Sequence, residues 1–176
     1  VEISTSSFRD RSGAACASIT VRDITERKRA EEHIEYIAYH DELTGIRNRA
    51  YFHRALEQAI TIAQRHSRTC AVMLVDLDRF KNINDSLGHQ AGDSMLKEIA
   101  SRLQLCVRDS DIVARLGGDE FIVLVQDVAG AEQAAPIAHK ILQSVGRPLL
   151  VGERDLVTTA SIGISFFPND GADAQT

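Results

Sequence analysis

The chain has 176 residues, of which 44% are hydrophobic and 26% charged, and its formal net charge is -5. These values are typical of globular proteins and exclude disordered, collagen-like and low-complexity sequence. The longest apolar run, Cys70 to Val75, is far shorter than the roughly 20 residues that span a bilayer, and no basic stripe or aromatic ladder indicates nucleic-acid binding. We therefore expect a soluble, cytoplasmic chain with one principal domain, no direct membrane contact and no nucleic-acid partner.

The cysteines are odd in number, have no CxxC spacing and stand in apolar surroundings. Neither a zinc site nor a disulfide framework fits their positions, which are Cys16, Cys70 and Cys106. We expect all of them to be reduced, structural thiols in the core.

The first 40 residues differ in character from the rest. Two partly alternating segments, Val1 to Phe8 and Ala14 to Val21, flank a turn-rich stretch and predict a β-hairpin. Residues 23–40 are densely charged, with apolar residues at heptad-like spacing at Ala30, Ile34 and Ile37. This pattern predicts an exposed linker helix, which either pairs with a second copy or is only a solvated connector.

The remaining residues alternate between helical and extended patterns. Helical spacing follows Asn48, and the run Cys70 to Val75 suits a buried central strand. After a short polar segment, further apolar runs predict a helix, two strands, a helix and a strand, at Met95 to Leu103, Ile112 to Leu116, Phe121 to Val125, Ala134 to Val145 and Leu156 to Phe166. From Cys70 the order is β, α, β, β, α, β, which predicts a ferredoxin-like α+β core with an antiparallel central sheet.

Acidic residues stand where the predicted strands end. Asp76 follows the apolar strand directly, and Asp119 and Glu120 lie in the turn of the predicted hairpin. Neighbouring strands would bring these carboxylates together, and hard oxygen ligands suit Mg²⁺. By spacing alone, each acid could equally be a solvated loop residue.

Three residue strings carry a resemblance to a known family. Residues 115–121 read RLGGDEF and contain the Gly-Gly-Asp-Glu-Phe motif of the GGDEF family of diguanylate cyclases, which this chain resembles. Residues 41–49 (DELTGIRNR) are similar to the family's DxLTGLxNR entry, with Ile46 in place of Leu, and residues 76–93 are similar to its DxDxFKxxNDxxGHxxGD segment. The resemblance extends over about residues 41–171.

The resemblance implies an enzyme that condenses two GTP molecules into cyclic di-GMP with release of pyrophosphate, across a homodimer. It also implies two Mg²⁺ or Mn²⁺ ions per active site, held by Asp76, Asp119, Glu120 and the backbone carbonyl of Leu77. Asp119 and Glu120 are the implied catalytic residues, and Asp119 is the candidate proton acceptor.

Other residues match the family's substrate contacts. Asn84 and Asp93 are implied to bind guanine, because a carboxylate accepts from an N1–H and a 2-amino group that adenine lacks. Considered alone, Asp93 could equally cap the next helix. The matches to the triphosphate contacts are Lys81, the backbone amides of Phe80 and Lys81, and the glycine turn at Gly117 and Gly118. The turn needs positive φ, and side chains there would block the triphosphate.

An RxxD string, Arg108 to Asp111, has five residues between it and Gly117. This is the position of the family's inhibitory site, which implies allosteric binding of the product cyclic di-GMP. As bare sequence, RxxD is more often a surface ion pair. We also expect Arg115 to be structural and to pair with an acid such as Asp41.

The two ends of the chain add expectations about a longer parent. Residues 1–22 resemble the last strands of a PAS sensor domain and 23–40 its exit linker, which leaves 41–176 as a GGDEF domain. Family members continue past this point into a helix whose Lys and Arg bind the triphosphate, so we expect a C-terminally truncated domain.

Residues 85–89 and 146–149 resemble the sequences of family members in which an EAL phosphodiesterase domain follows the GGDEF domain. The alternative function is therefore a non-catalytic GTP or cyclic di-GMP binding module that regulates an EAL domain, in a parent that could be membrane-anchored.

Overall fold

The computed structural model describes residues 1–9, 11–151, 154–171 and 173–174. The chain divides into two compact units, residues 1–37 and 38–176. The elements in chain order are β1 (Glu2–Arg9), β2 (Ala15–Arg22), α1 (Thr25–Tyr39), β3 (Arg47–Asn48), α2 (Arg49–His66), β4 (Cys70–Leu77), α3 (Phe80–Leu87), α4 (His89–Cys106), β5 (Ile112–Gly117), β6 (Glu120–Gln126), α5 (Ala131–Val145), β7 (Leu149–Val151), β8 (Arg154–Leu156) and β9 (Ala160–Phe167).

The N-terminal unit contains the predicted hairpin and most of the predicted linker helix. β1 and β2 pair antiparallel from Glu2 opposite Arg22 to Arg9 opposite Ala15. In α1, Ile34 and Ile37 remain exposed, so the helix itself is confirmed while its pairing with a second copy stays a prediction. Asp10 in the expected turn and the side chain of Cys16 lie outside the described part of the chain.

The second unit is built on a five-stranded sheet in the order β3-β5-β6-β4-β9. β4 lies between β6 and β9 and pairs antiparallel with both, as β5 does with β6. These four strands form the predicted ferredoxin-like core. The sheet as a whole is mixed rather than antiparallel, because the short β3 joins its edge parallel to β5.

The period-two pattern of β4 separates the two faces of the sheet. Ala71, Met73 and Val75 are fully buried, whereas Leu74 between them is 41% exposed. The buried face packs against α4 and α5 in the larger core cluster, and α2 covers part of the opposite face in a smaller one. Asp76 alternates with the buried residues and thus lies on the less covered face, where the strand ends.

Two elements differ from the sequence-based expectations. The polar segment after β4 is a helix, α3, which follows Arg79 in a left-handed conformation (φ 59°). The expected strand Leu156 to Phe166 is interrupted, because β8 ends at Leu156 in a hairpin with β7 and β9 starts only at Ala160.

Candidate functional site

Three predicted acidic residues lie at the same end of the central strands. Asp76 near the end of β4 pairs in register with Glu120 at the start of β6, and Asp119 lies in the turn before Glu120. Desolvation of its carboxylate raises the pKa of Asp76, and the negative charges of Asp119, Glu120 and Asp78 raise it further. A cation placed among these carboxylates would relieve that repulsion.

The acid cluster offers only part of a metal coordination shell. Among the described residues, no three His, Cys, Asp or Glu side chains are gathered closely enough to hold an ion between them. Mg²⁺ is commonly held by one or two carboxylates together with phosphate oxygens of the substrate. The hard oxygen atoms of Asp76, Glu120 and the Leu77 carbonyl fit such a shared shell in their chemistry.

The turn between β5 and β6 is held by hydrogen bonds from an arginine of β5. Gly117 and Gly118 have φ values of 141° and 55°, as the turn was expected to require. The Arg115 guanidinium donates two hydrogen bonds to the Gly118 carbonyl (3.0 and 2.7 Å) and two to the carboxylate of Asp41 (3.0 and 3.2 Å). The predicted pairing of Arg115 with Asp41 is confirmed, and it ties the acidic turn to the start of the second unit.

A cleft of about 940 Å³ opens beside Asp76. The sequence did not indicate its other walls, which include Arg79 and Asn82 near the start of α3 and Thr158 and Thr159 in the loop between β8 and β9. No spacing rule could have found the two threonines, because they lie about 80 residues along the chain from β4.

Asp78 holds that loop in place. Its carboxylate accepts hydrogen bonds from the Thr159 hydroxyl and from the Ser161 hydroxyl (2.9 Å), and these bonds lower its pKa. Its backbone N–H donates to the Thr159 carbonyl (2.9 Å). Asp78 therefore joins the end of β4 to the start of β9.

The two predicted guanine contacts lie on successive helices. Asn84 is on α3, and its Oδ1 atom is buried with no hydrogen-bond partner among the described residues. Asp93 is exposed on α4. The alternative interpretation of Asp93 as a helix cap is wrong, because α4 begins at His89 with Gly88 in the N-cap position.

The predicted triphosphate contacts lie at the start of α3. Phe80 is buried in the larger core cluster, whereas Lys81 is exposed. Their backbone amides belong to the first turn of the helix, where N–H groups have no carbonyl partner within the helix. The structure thus places these amides beside the loop that follows β4.

The RxxD residues form a tight turn before β5 rather than an ion pair. The Asp111 carboxylate accepts from the backbone N–H groups of Arg108 (3.1 Å) and Gln126 (3.1 Å). Within the part of the chain that the structure describes, the Arg108 guanidinium forms no salt bridge. The surface ion pair considered from sequence is therefore wrong.

Comparison with known proteins agrees with these motifs. The family model "Diguanylate cyclase, GGDEF domain" matches residues 38–176. Diguanylate cyclase TpbB of Pseudomonas aeruginosa (strain UCBPP-PA14) is 46% identical over 132 residues, covering 74% of this chain and 30% of that protein. Cyclic di-GMP phosphodiesterase NbdA of P. aeruginosa (strain PAO1) is 40% identical over 146 residues, covering 83% of this chain and 18% of that protein.

A solved structure shows the same fold. The coiled coil and GGDEF domain of DgcB from Caulobacter crescentus, in complex with c-di-GMP, aligns with a TM-score of 0.75 at 28% identity, covering 85% of this chain and 81% of that one. The present chain spans less than a third of the two curated relatives. No helix in the described ranges is long and apolar enough to cross a membrane.

Proposed function

Because the chain belongs to the GGDEF-domain family of diguanylate cyclases, whose model matches residues 38–176, we propose that it condenses two GTP molecules into cyclic di-GMP and pyrophosphate. The observation that carries this proposal is the pairing of Asp76 with Glu120 beside the glycine turn that holds Asp119. A nucleotidyl transfer needs the negative charge on the reacting phosphates to be offset, and the carboxylates at this end of the sheet would do so through bound cations.

Two divalent ions, Mg²⁺ or Mn²⁺, would be held by Asp76, Asp119, Glu120 and the Leu77 carbonyl. When bound, such ions lower the pKa of the attacking ribose 3′-hydroxyl and neutralise charge on the α-phosphate and the leaving pyrophosphate. Asp119 and Glu120 are the proposed catalytic residues. We propose that the main role of Asp119 is to hold the ions and that proton acceptance is secondary, because a carboxylate that ligates a cation is a weak base.

The remaining residues of the proposed site bind and orient GTP. Asp93 would accept from N1–H and the 2-amino group of guanine while the Asn84 carboxamide donates, a pattern that adenine cannot match. The backbone amides of Phe80 and Lys81, with the Lys81 ammonium, would contact the triphosphate. The bare turn at Gly117 and Gly118 would leave room for it.

Two protomers are needed for the complete reaction. One site of this kind holds one GTP, and each of the two new phosphodiester bonds joins the 3′-hydroxyl of one nucleotide to the α-phosphate of the other. We therefore propose a two-fold homodimer in which each protomer presents its GTP to the other. Arg108 and Asp111 would bind the product and reduce activity.

We also propose a domain organisation and a compartment for the chain, on the basis of its resemblance to the family. Residues 1–22 would be the last strands of a PAS-like sensor domain, 23–40 its linker and 41–176 the catalytic domain. The buried free thiols of Cys70 and Cys106 suit a reducing cytoplasm.

A second candidate is a non-catalytic GTP or cyclic di-GMP binding module that regulates an EAL phosphodiesterase domain. It is favoured by the 40% identity to NbdA, whose name is that of a phosphodiesterase. The intact Gly-Gly-Asp-Glu-Phe string favours the cyclase.

GTP turnover by the wild-type chain and two variants, with the product identified by mass spectrometry, tests the proposal. Asp76→Ala and Glu120→Ala should each lower cyclic di-GMP formation at least about 100-fold, with little change in stability because both acids lie outside the core. Glu57→Ala, which removes an exposed acid from α2, should leave turnover unchanged. Full turnover in either site variant would refute the assignment, and GTP binding without product in the wild type would favour the regulatory module.

A further inference from the structure

A second cleft, of about 310 Å³, lies between the RxxD turn and the start of α2. The residues that line it include Arg108 and Asp111 from the turn, Arg47 from β3 and Tyr51 from α2. Arg47 falls on a position that the motif DxLTGLxNR leaves open. The resemblance to the family therefore assigns no role to this residue.

Arg47 is held in a defined place on the wall of the cleft. Its guanidinium carbon lies 4.0 Å from the centroid of the Tyr51 ring, and Nη1 lies 2.9 Å from Nε2 of His40. Arg47 also belongs to β3, whose pairing with β5 sets it opposite Ala114. In the described part of the chain it makes no salt bridge, so its positive charge is stacked and oriented but has no carboxylate to neutralise it.

Arg108 also lines the cleft, and in the described part of the chain it likewise makes no salt bridge. The carboxylate closest to it in sequence, Asp111, accepts from two backbone N–H groups, one of Arg108 and one of Gln126. That arrangement fixes the turn and leaves the Arg108 guanidinium exposed. Two guanidinium groups that can bind an anion therefore line the same cleft.

We propose that Arg47 is a third binding residue of the product site, and that it holds one phosphodiester of cyclic di-GMP while Arg108 holds the other. A cyclic dinucleotide carries one negative charge on each of its two phosphodiesters, so the two guanidinium groups that line this cleft match it in number and sign of charge. Tyr51 acts as a platform that keeps the Arg47 side chain extended over the cleft. This inference rests on the proposed product binding at Arg108 and Asp111.

Isothermal titration of the full chain with cyclic di-GMP in magnesium-free buffer tests the role of Arg47. Loss of a hydrogen bond to a charged group corresponds to an affinity decrease of about 10- to 100-fold, which we expect for Arg47→Ala and for Arg108→Ala. Arg54→Ala is the matched control. Arg54 contacts Tyr39 from the same helix as Tyr51 but does not line the cleft, so its removal should leave the affinity unchanged.

The combination of variants separates the two levels of the proposal. Weakened binding in Arg47→Ala and Arg108→Ala, with Arg54→Ala as wild type, supports the role of Arg47. Wild-type affinity in Arg47→Ala with lost affinity in Arg108→Ala would overturn that role and leave the product site standing. No binding to the wild type, or wild-type affinity in Arg108→Ala, would overturn both. If thermal melts show that Arg47→Ala is unfolded, Arg47→Gln replaces it, because its side chain can still reach His40. Its affinity for cyclic di-GMP is then compared with that of Arg108→Ala in the same way.

Discussion

Because Gly92 has no side chain, the Asn84 carboxamide can occupy the space beside it. A Cβ atom at Gly92 would lie 2.0 Å from Asn84 Oδ1 and 3.1 Å from the Phe80 ring, so an alanine there would push the Asn84 side chain aside. We predict that Gly92→Ala lowers GTP affinity about tenfold, the value of one hydrogen bond to the base. The gain of alanine over glycine in a helix, about 1 kcal/mol, would offset part of the crowding in the free energy of unfolding.

Equilibrium binding of GTP measures this effect, and Gly163→Ala provides the control. Gly163 lies in β9, where no described atom beyond its chain neighbours would come within 4 Å of an added Cβ, so GTP should bind this variant as it binds the wild type. Unchanged GTP affinity in Gly92→Ala would contradict the role of Asn84 in holding the base.

Asp41 makes stability depend on pH. Burial acts to raise its pKa, but hydrogen bonds from Thr44 and the adjacent Arg115 guanidinium outweigh burial and lower it. A carboxylate whose folded pKa is below its unfolded value of about 4 stabilises the fold above that pH, and the contribution disappears as pH falls through the folded pKa. Asp41→Asn should therefore cost about 1 to 3 kcal/mol at pH 7 and much less near pH 3. Urea unfolding at the two pH values checks this, and an equal loss at both would show that charge is not the cause.

Arg102 joins α4 to the segment that links α5 to β7. Only 13% of its side chain is exposed, and its guanidinium donates from α4 to the carbonyls of Ser144, Arg147 and Pro148 (3.0, 2.7 and 2.9 Å). These carbonyls belong to the last turn of α5 and to the short segment between α5 and β7. Arg102→Met should lower the free energy of unfolding by about 2 to 4 kcal/mol, since three acceptors lose a charged donor.

Chemical denaturation of Arg102→Met beside Arg65→Met measures that contribution. Arg65 is an exposed residue of α2, and its loss should change stability by less than about 0.5 kcal/mol. Equal stability of the two variants would show that the bonds from Arg102 contribute nothing net.

Elements with a clear period were predictable from sequence, and those fixed by distant contacts were not. The hairpin around Gly117 and helices α4 and α5 follow from local patterns. α3 was missed because its eight residues are too few for a clear helical period and start after a left-handed Arg79. β8 pairs with β7 instead of continuing into β9, and the start of β9 is held by Asp78, whose partners Thr159 and Ser161 are remote in sequence. Strand pairing likewise decides that Asp76 faces Glu120, which the spacing of acids along the chain could only suggest.

The proposed reaction requires two protomers for one product. The exposed seam through Ala30, Ile34 and Ile37 on α1 is short, so we expect at most a weak dimer at micromolar concentration. The dimer fraction of such a chain rises with concentration, and the activity per protomer should rise with it.

Cyclic di-GMP formation from GTP and Mg²⁺, measured over a range of chain concentrations alongside sedimentation of the same samples, tests this requirement most directly. The account predicts that cyclic di-GMP forms and that its rate increases faster than linearly with chain concentration, in parallel with the dimer. A constant specific activity in a chain that sediments as a monomer throughout would contradict the two-protomer mechanism.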